Sequence, residues 1–225
     1  MLSLFFSTQL FAKSGFSLGV FGSYAVDGGS IDGKLDRSQS LISLDSDFDP
    51  VIIAGSGLFA RYDFSNNLFI RSGVEYNELV SGGDISGGDP SDVNYIKFQI
   101  EYNALSFPLF FGINVTPDKG KTNIYGAAGP ILAIVESYLS KTEGVHLYET
   151  ESDSFIFGFG GIFGIEKRIT SGFYFMIEYA VYRCESSKKV GIKTFSNGFF
   201  IAEAPYVEKY DLPRQQIRLG LRYAF

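Results

Sequence analysis

An all-β, single antiparallel up-and-down β-barrel that crosses a membrane with eight strands is the fold predicted by this 225-residue sequence. Three observations predict it. The chain closes in strict alternation, with Ile217, Leu219, Leu221, Tyr223 and Phe225 set against Gln216, Arg218, Gly220, Arg222 and Ala224. Seven earlier segments alternate in the same way, and the connections between segments are by turns short and long. Alternation with period two is the mark of a strand with one apolar and one polar face. A strand that stops on an aromatic suits the closing strand of a barrel whose apolar face meets lipid.

The segments follow in order. Residues 16–26 set Phe16, Leu18, Val20, Tyr24 and Val26 against Ser17, Gly19, Ser23 and Ala25. Residues 52–64 oppose Leu58, Ala60, Tyr62 and Phe64 to Gly55, Gly57, Arg61 and Asp63. Residues 68–78 oppose Leu68, Ile70, Val74 and Tyr76 to Arg71, Gly73, Glu75 and Asn77. Residues 95–115 begin with Ile96, Phe98, Ile100 and Tyr102 against Lys97, Gln99, Glu101 and Asn103. Residues 123–135 are weakly patterned. Residues 155–167 set Phe155, Phe157, Phe159, Phe163 and Ile165 against Gly158, Gly160, Gly164 and Glu166, and residues 173–183 set Phe173, Phe175, Ile177, Tyr179 and Val181 against Glu178 and Ala180. Each segment reaches the length of about 9–11 residues that a tilted strand needs to span a bilayer.

Composition agrees. Glycine (26), tyrosine (14) and phenylalanine (23) are abundant, which favours strands. No apolar run attains the roughly 18 residues of a transmembrane helix. Tryptophan is absent, so aromatic girdles must be built from Tyr and Phe. Cys184 is the lone cysteine, which excludes an internal disulfide and a multi-cysteine metal site. A net charge of −6 without a basic stripe argues against nucleic acid as a partner. Residues 1–12, an apolar stretch ending on Ala12, read as a signal peptide short of its basic start, leaving 13–225 as the barrel domain.

Residues 65–67, 116–122 and 168–172 are brief and carry turn residues. Residues 27–50, 80–94, 136–154 and 184–213 are long and polar, and are expected as extracellular loops. An even strand number brings both ends of the barrel to the short-turn side. Within the fourth long segment Asn197-Gly198 is a two-residue hairpin cue between 190–195 and 199–203. Lacking a continuous lipid-compatible face, that hairpin is expected to project beyond the membrane; if it spans, the barrel has ten strands. Pro108 and Pro130 are expected to mark bulges or strand ends, since a closed barrel has no edge to excuse a missing N–H.

Alternation alone leaves open which face is buried, and a soluble barrel of the lipocalin kind would bury the apolar one. The polar face decides. Arg61, Arg71, Lys97, Arg218 and Arg222 share it with Glu75, Glu101, Glu166, Glu178 and many glycines. Such a set can interlock as ion pairs in an eight-stranded lumen, which is just wide enough for side chains to fill it. Phe and Tyr along nearly every strand of the other face exceed what a small ligand cavity needs.

At this point the chain resembles the small outer-membrane β-barrel proteins of the OmpA/OmpX/OmpW-like and opacity-like group. The resemblance is carried by Arg218-x-Gly220-x-x-Tyr223-x-Phe225 at the terminus, by Leu105-Ser-Phe-Pro108-Leu-Phe followed by Tyr125-Gly-Ala-Ala-Gly129-Pro130, and by Glu178-Tyr-Ala-Val-Tyr182. It implies an outer-membrane location, lipid as surroundings, and insertion by a barrel-assembly machine that reads Arg218, Gly220, Tyr223 and Phe225. It implies no single function. Members include anchors, adhesins and narrow conduits for small hydrophobic compounds.

Other chemistries find little support. Asp45-Ser-Asp47-Phe-Asp49 opens like a calcium loop, but Pro50 and Ser56 stand where glycine and a carboxylate are required. Gly158-Phe-Gly160-Gly161-Ile-Phe-Gly164 misses the dinucleotide spacing. His146 is the sole histidine and no nucleophile motif accompanies it, so no catalytic set, metal or cofactor is expected. The first three long segments carry net charges of −4, −3 and −4, whereas 183–214 carries +2. The expected protein is therefore a monomeric barrel with a plugged lumen whose loops meet a host or surface ligand. The alternatives are a narrow channel for small hydrophobic molecules and a structural envelope protein.

Overall fold

Every regular element of the computed structural model is a strand, among the described residues 15–26, 31–35, 43–44, 54–64, 67–84, 96–118, 121–143, 145–211 and 215–225. The expected signal peptide (1–12), the Asp45–Asp49 acidic stretch and most of the first and second long segments lie outside them. Eight strands close a ring: β1 (Gly15–Ala25), β4 (Ala54–Asp63), β5 (Leu68–Asp84), β6 (Ile96–Asp118), β7 (Thr122–Glu143), β8 (His146–Arg168), β9 (Phe173–Arg183) and β12 (Gln215–Ala224). All neighbours are antiparallel, and β1 with β12 completes the circle through nine residue pairs from Ser17–Ala224 to Ala25–Gln216. The eight-strand reading holds.

Four strands lie outside the ring: β2 (Ile31–Leu35), β3 (Ser43–Leu44), β10 (Glu185–Ser196) and β11 (Phe199–Asp211). The β10–β11 hairpin turns at Asn197 and Gly198, both with positive φ (50° and 79°), the geometry that Asn-Gly favours. Its tip is fastened to the top of β8 through Lys193–Glu149 to Ser196–His146, and β2 and β3 extend the sheet from β11.

Two expectations need correction. The described residues of 136–154 are not an irregular loop: β7 and β8 stay paired from Val135–Ser154 up to Glu143–His146. Glu136, Glu151 and Asp153 occupy a solvated strand face rather than an irregular connection. Nor do Pro108 and Pro130 shift the register. Leu109 and Phe110 skip their pairing with β7 opposite Pro130 and Gly129, and β5 skips its pairing opposite Pro108, yet the alignment resumes unchanged on either side. The missing N–H is absorbed as a local lapse in the ladder.

The faces sort as lipid demands. On β8 the outward column Phe155, Phe157, Phe159, Phe163 and Ile165 is exposed, whereas Ile156, Ile162 and Glu166 between them are buried. Ten residue steps separate Phe155 from Ile165, a height of about 26 Å for a strand tilted by about 40°. That matches the apolar band of roughly 25 Å in outer-membrane barrels. At the short-turn end Phe225 stacks on Phe16 (6.0 Å between centroids) and meets Tyr223 edge-on at 4.9 Å, building an aromatic rim without tryptophan.

Candidate functional site: the ion-paired lumen

Inward positions on five strands bring two clusters of charge together. The one nearer the short turns holds Arg61 and Arg222 with Asp63 and Glu166. Arg222 grips Glu166 with two bonds, Nε to Oε2 at 2.9 Å and Nη2 to Oε1 at 2.6 Å. Arg61 donates to Asp63 Oδ1 (2.6 Å) and to Asn114 Oδ1 (2.5 Å), and lies 3.7 Å from Glu166. Asn114 and Asn123 tie the carboxylates together, Asn114 donating to Asp63 at 2.8 Å and Asn123 to Glu166 at 3.0 Å.

The second cluster holds Arg71 and Arg218 with Glu75 and Glu178. Arg71 pairs with both oxygens of Glu178, and Tyr125 donates its hydroxyl to Glu178 Oε1 at 2.5 Å. Arg218 donates to Glu75 Oε2 at 2.8 Å, which also accepts the Tyr182 hydroxyl at 2.7 Å; Arg218 and Tyr182 contact each other. Each cluster has two guanidiniums and two carboxylates and is neutral. Such closure is what makes burial of charge tolerable, since an unpaired ion there costs several kcal/mol.

Aromatic rings fill the space between the charges. Each arginine lies over one: Arg61 over Phe69 (3.9 Å), Arg71 over Phe59 (3.6 Å), Arg218 over Phe21 (4.6 Å) and Arg222 over Tyr174 (4.3 Å). The rings find room because a glycine stands opposite each of several: Phe59 faces Gly19, Phe21 faces Gly57, and Tyr125 faces Gly164. A Cβ at Gly164 would enter the Tyr125 ring, the one that reaches Glu178. The inward glycines of the sequence thus set the shape of the lumen.

Seven of the sequence-predicted network residues, Arg61, Arg71, Glu75, Glu166, Glu178, Arg218 and Arg222, are inside and at most 5% exposed. Two are not there. From Ile96 to Val115 β6 keeps one register and turns its even residues inward (Ala104, Ser106, Phe110, Asn114), so Glu101 stands on the outward face. Lys97 shares that register face, its side chain lying outside the described residues. Sequence reasoning also missed Asn114, Asn123, Tyr125 and Tyr182, and left Asp63 out of the network although it alternates in step with Arg61. Tyr182 was legible from its spacing, four residues after Glu178. In the terminal strand Arg218 and Gly220 face inward while Tyr223 and Phe225 face out.

A closed eight-stranded ring with a lipid-matched band and charge inside is the geometry of an envelope barrel. The family model for the outer membrane protein beta-barrel domain matches residues 2–225. The chain belongs to that family. It resides in the outer membrane. Among solved structures, this barrel is similar to the outer membrane protein OprG from Pseudomonas aeruginosa, at 13% identity over 94% of this chain and 96% of that one, with a TM-score of 0.57. A major outer membrane protein from Thermus thermophilus is similar at 11% identity, covering 93% of this barrel and 99% of its own chain, with a TM-score of 0.54. These likenesses concern the fold. No curated protein matches the barrel in sequence.

Proposed function

We propose that the barrel is a closed-lumen anchor that holds an extended β-structure above the membrane for contact with an external partner. The observation that carries this reading is the lumen itself, crossed by two neutral ion-pair clusters with rings stacked on every guanidinium. What rises above it is ordered rather than loose. β8 continues nine residues beyond Phe155, about 23 Å at the same tilt. At its top the β10–β11 hairpin presents Phe199, Phe200 and Ile201, all exposed.

In planar bilayers the purified chain is expected to give no resolved conductance steps; reproducible steps would overturn the closed-lumen half of the reading. The contact half is tested by replacing 185–211 with a short turn. Surface binding by cells that display the barrel is expected to fall while the barrel still shifts on boiling in detergent gels. Unchanged binding removes that half.

One observation favours the second reading, a narrow path for small hydrophobic molecules. Along β8 the edge of residues 150–158 pairs with neither β9 nor β10 among the described pairings, which leaves a break in the ladder beside the barrel mouth. Conductance without the ion-pair clusters being disturbed would select this reading instead.

A further inference from the structure

The strands that rise above the lipid band end together. The β10–β11 hairpin turns at Asn197 and Gly198, and the Asn197 N–H donates to the Val145 carbonyl (3.1 Å) between β7 and β8. Two separate connections are thereby pinned side by side at one height. His146 lies nine residue steps above Phe155, about 23 Å at the barrel's tilt, so this apex stands clear of the bilayer that holds the barrel.

The apex is apolar on both sides. Phe199, Phe200, Ile201 and Val145 are between 56% and 78% exposed. Phe199 pairs with Ser196 and Phe200 with Phe195, so the two phenylalanines, neighbours on one strand, point to opposite faces of the hairpin. Ile201 is skipped where the register shifts between Thr194 and Phe195. The Phe200 ring meets Phe195 edge-on at 5.8 Å and is held in place by it.

Charge is excluded from the same stretch. Residues 194–202 carry none, and Lys193 and Glu203 pair across the two strands just below them. From Thr194 to Asn197 the hairpin rises about 10 Å. That is the upper end of the roughly 5–10 Å by which interfacial segments sink into the boundary between lipid headgroups and acyl chains.

Size and shape select the occupant. The four exposed side chains offer roughly 450 Å² of surface, against about 800 Å² per partner in a stable protein interface. A protein surface would cover one face of the hairpin and leave the other in water, whereas lipid surrounds a projecting tip on all sides. We infer that the apex inserts into the lipid surface of an apposed membrane, with Phe199, Phe200 and Ile201 among the upper acyl chains and Lys193 and Glu203 at the headgroups. This assigns a partner class to the contact half of the anchor reading and rests on it.

The test uses the full chain held in an amphipathic polymer, its fold verified by the gel shift on boiling, with Phe200→Trp as the probe. Vesicles of phosphatidylcholine with brominated acyl chains are added at low and at high salt. Emission from Phe200→Trp is expected to shift to the blue and to be quenched at both, while Phe111→Trp on the barrel wall, shielded by the polymer, stays bright. Adding Phe199→Ser and Ile201→Ser, both at exposed positions, should weaken partitioning by about tenfold or more with the gel shift unchanged. The inference is overturned if Phe200→Trp is not quenched, if the two serines leave partitioning unchanged, or if Phe111→Trp is quenched as strongly, the barrel itself having entered the vesicles. Quenching that disappears at high salt, the mark of the basic arms rather than the apolar tip, overturns it as well. Each of these failures leaves the anchor reading standing as long as replacing 185–211 still lowers surface binding.

Discussion

Replacing Glu178 with alanine is expected to lower the unfolding free energy of the barrel by about 3 kcal/mol, measured by urea titration in micelles. The carboxylate receives both Arg71 and the Tyr125 hydroxyl, so its loss strands a buried cation and a buried phenol together. Removing one partner of a buried pair generally costs about 3–5 kcal/mol. Glu178→Leu combined with Arg71→Met should recover most of the loss, since two apolar side chains leave no ion unpaired. If the double variant is no more stable than Glu178→Ala, the pairing account of the lumen fails.

Phe159→Arg is expected to cost about 2–4 kcal/mol of the same free energy, because its side chain points into lipid near the middle of the apolar band. Asp153→Arg, six residues away on the same outward face but above that band, should cost little. The contrast matters more than either value. A soluble barrel would tolerate an exposed arginine equally at both positions, and equal tolerance would contradict a membrane location.

How much of this was legible depended on what surrounds each strand. β8, β9 and β12 were read correctly over their membrane portions, because there one face meets lipid along its whole length and the alternation keeps one phase. β6 was misread, and the cause is physical. In the membrane its outward residues are apolar (Phe107, Leu109, Phe111, Ile113), while above it the outward positions carry Gln99, Glu101 and Asn103. The apolar phase inverts at the boundary although the backbone register does not, since outside the membrane the outward face meets water. Lys97 and Glu101 were assigned to the lumen by following the upper phase downward.

The same inversion explains why 136–154 looked like a loop. Its outward acids, Glu136, Glu149, Glu151 and Asp153, dominate the local composition, and paired strands with one solvated acidic face resemble a polar connection. The lumen was legible in its charges but less so in its neutral partners. Tyr125 stands on the weakly patterned β7, where Gly126, Ala127 and Ala128 blur the two faces. Asn114 and Asn123 could be placed only once the register set them beside Asp63 and Glu166.

The direction in which adjacent side chains point decides between a membrane barrel and a soluble one, and the absence of tryptophan makes it directly measurable. Phe110 and Phe111 are neighbours on β6, one fully buried inside and the other 57% exposed on the outer wall. Each is replaced singly by tryptophan, and the folded barrel is placed in bilayers containing brominated acyl chains. Emission from Phe111→Trp is predicted to be strongly quenched and that from Phe110→Trp to be nearly unaffected. Quenching at 110 with none at 111 would mean that the rings converge on the axis and the charges face outward.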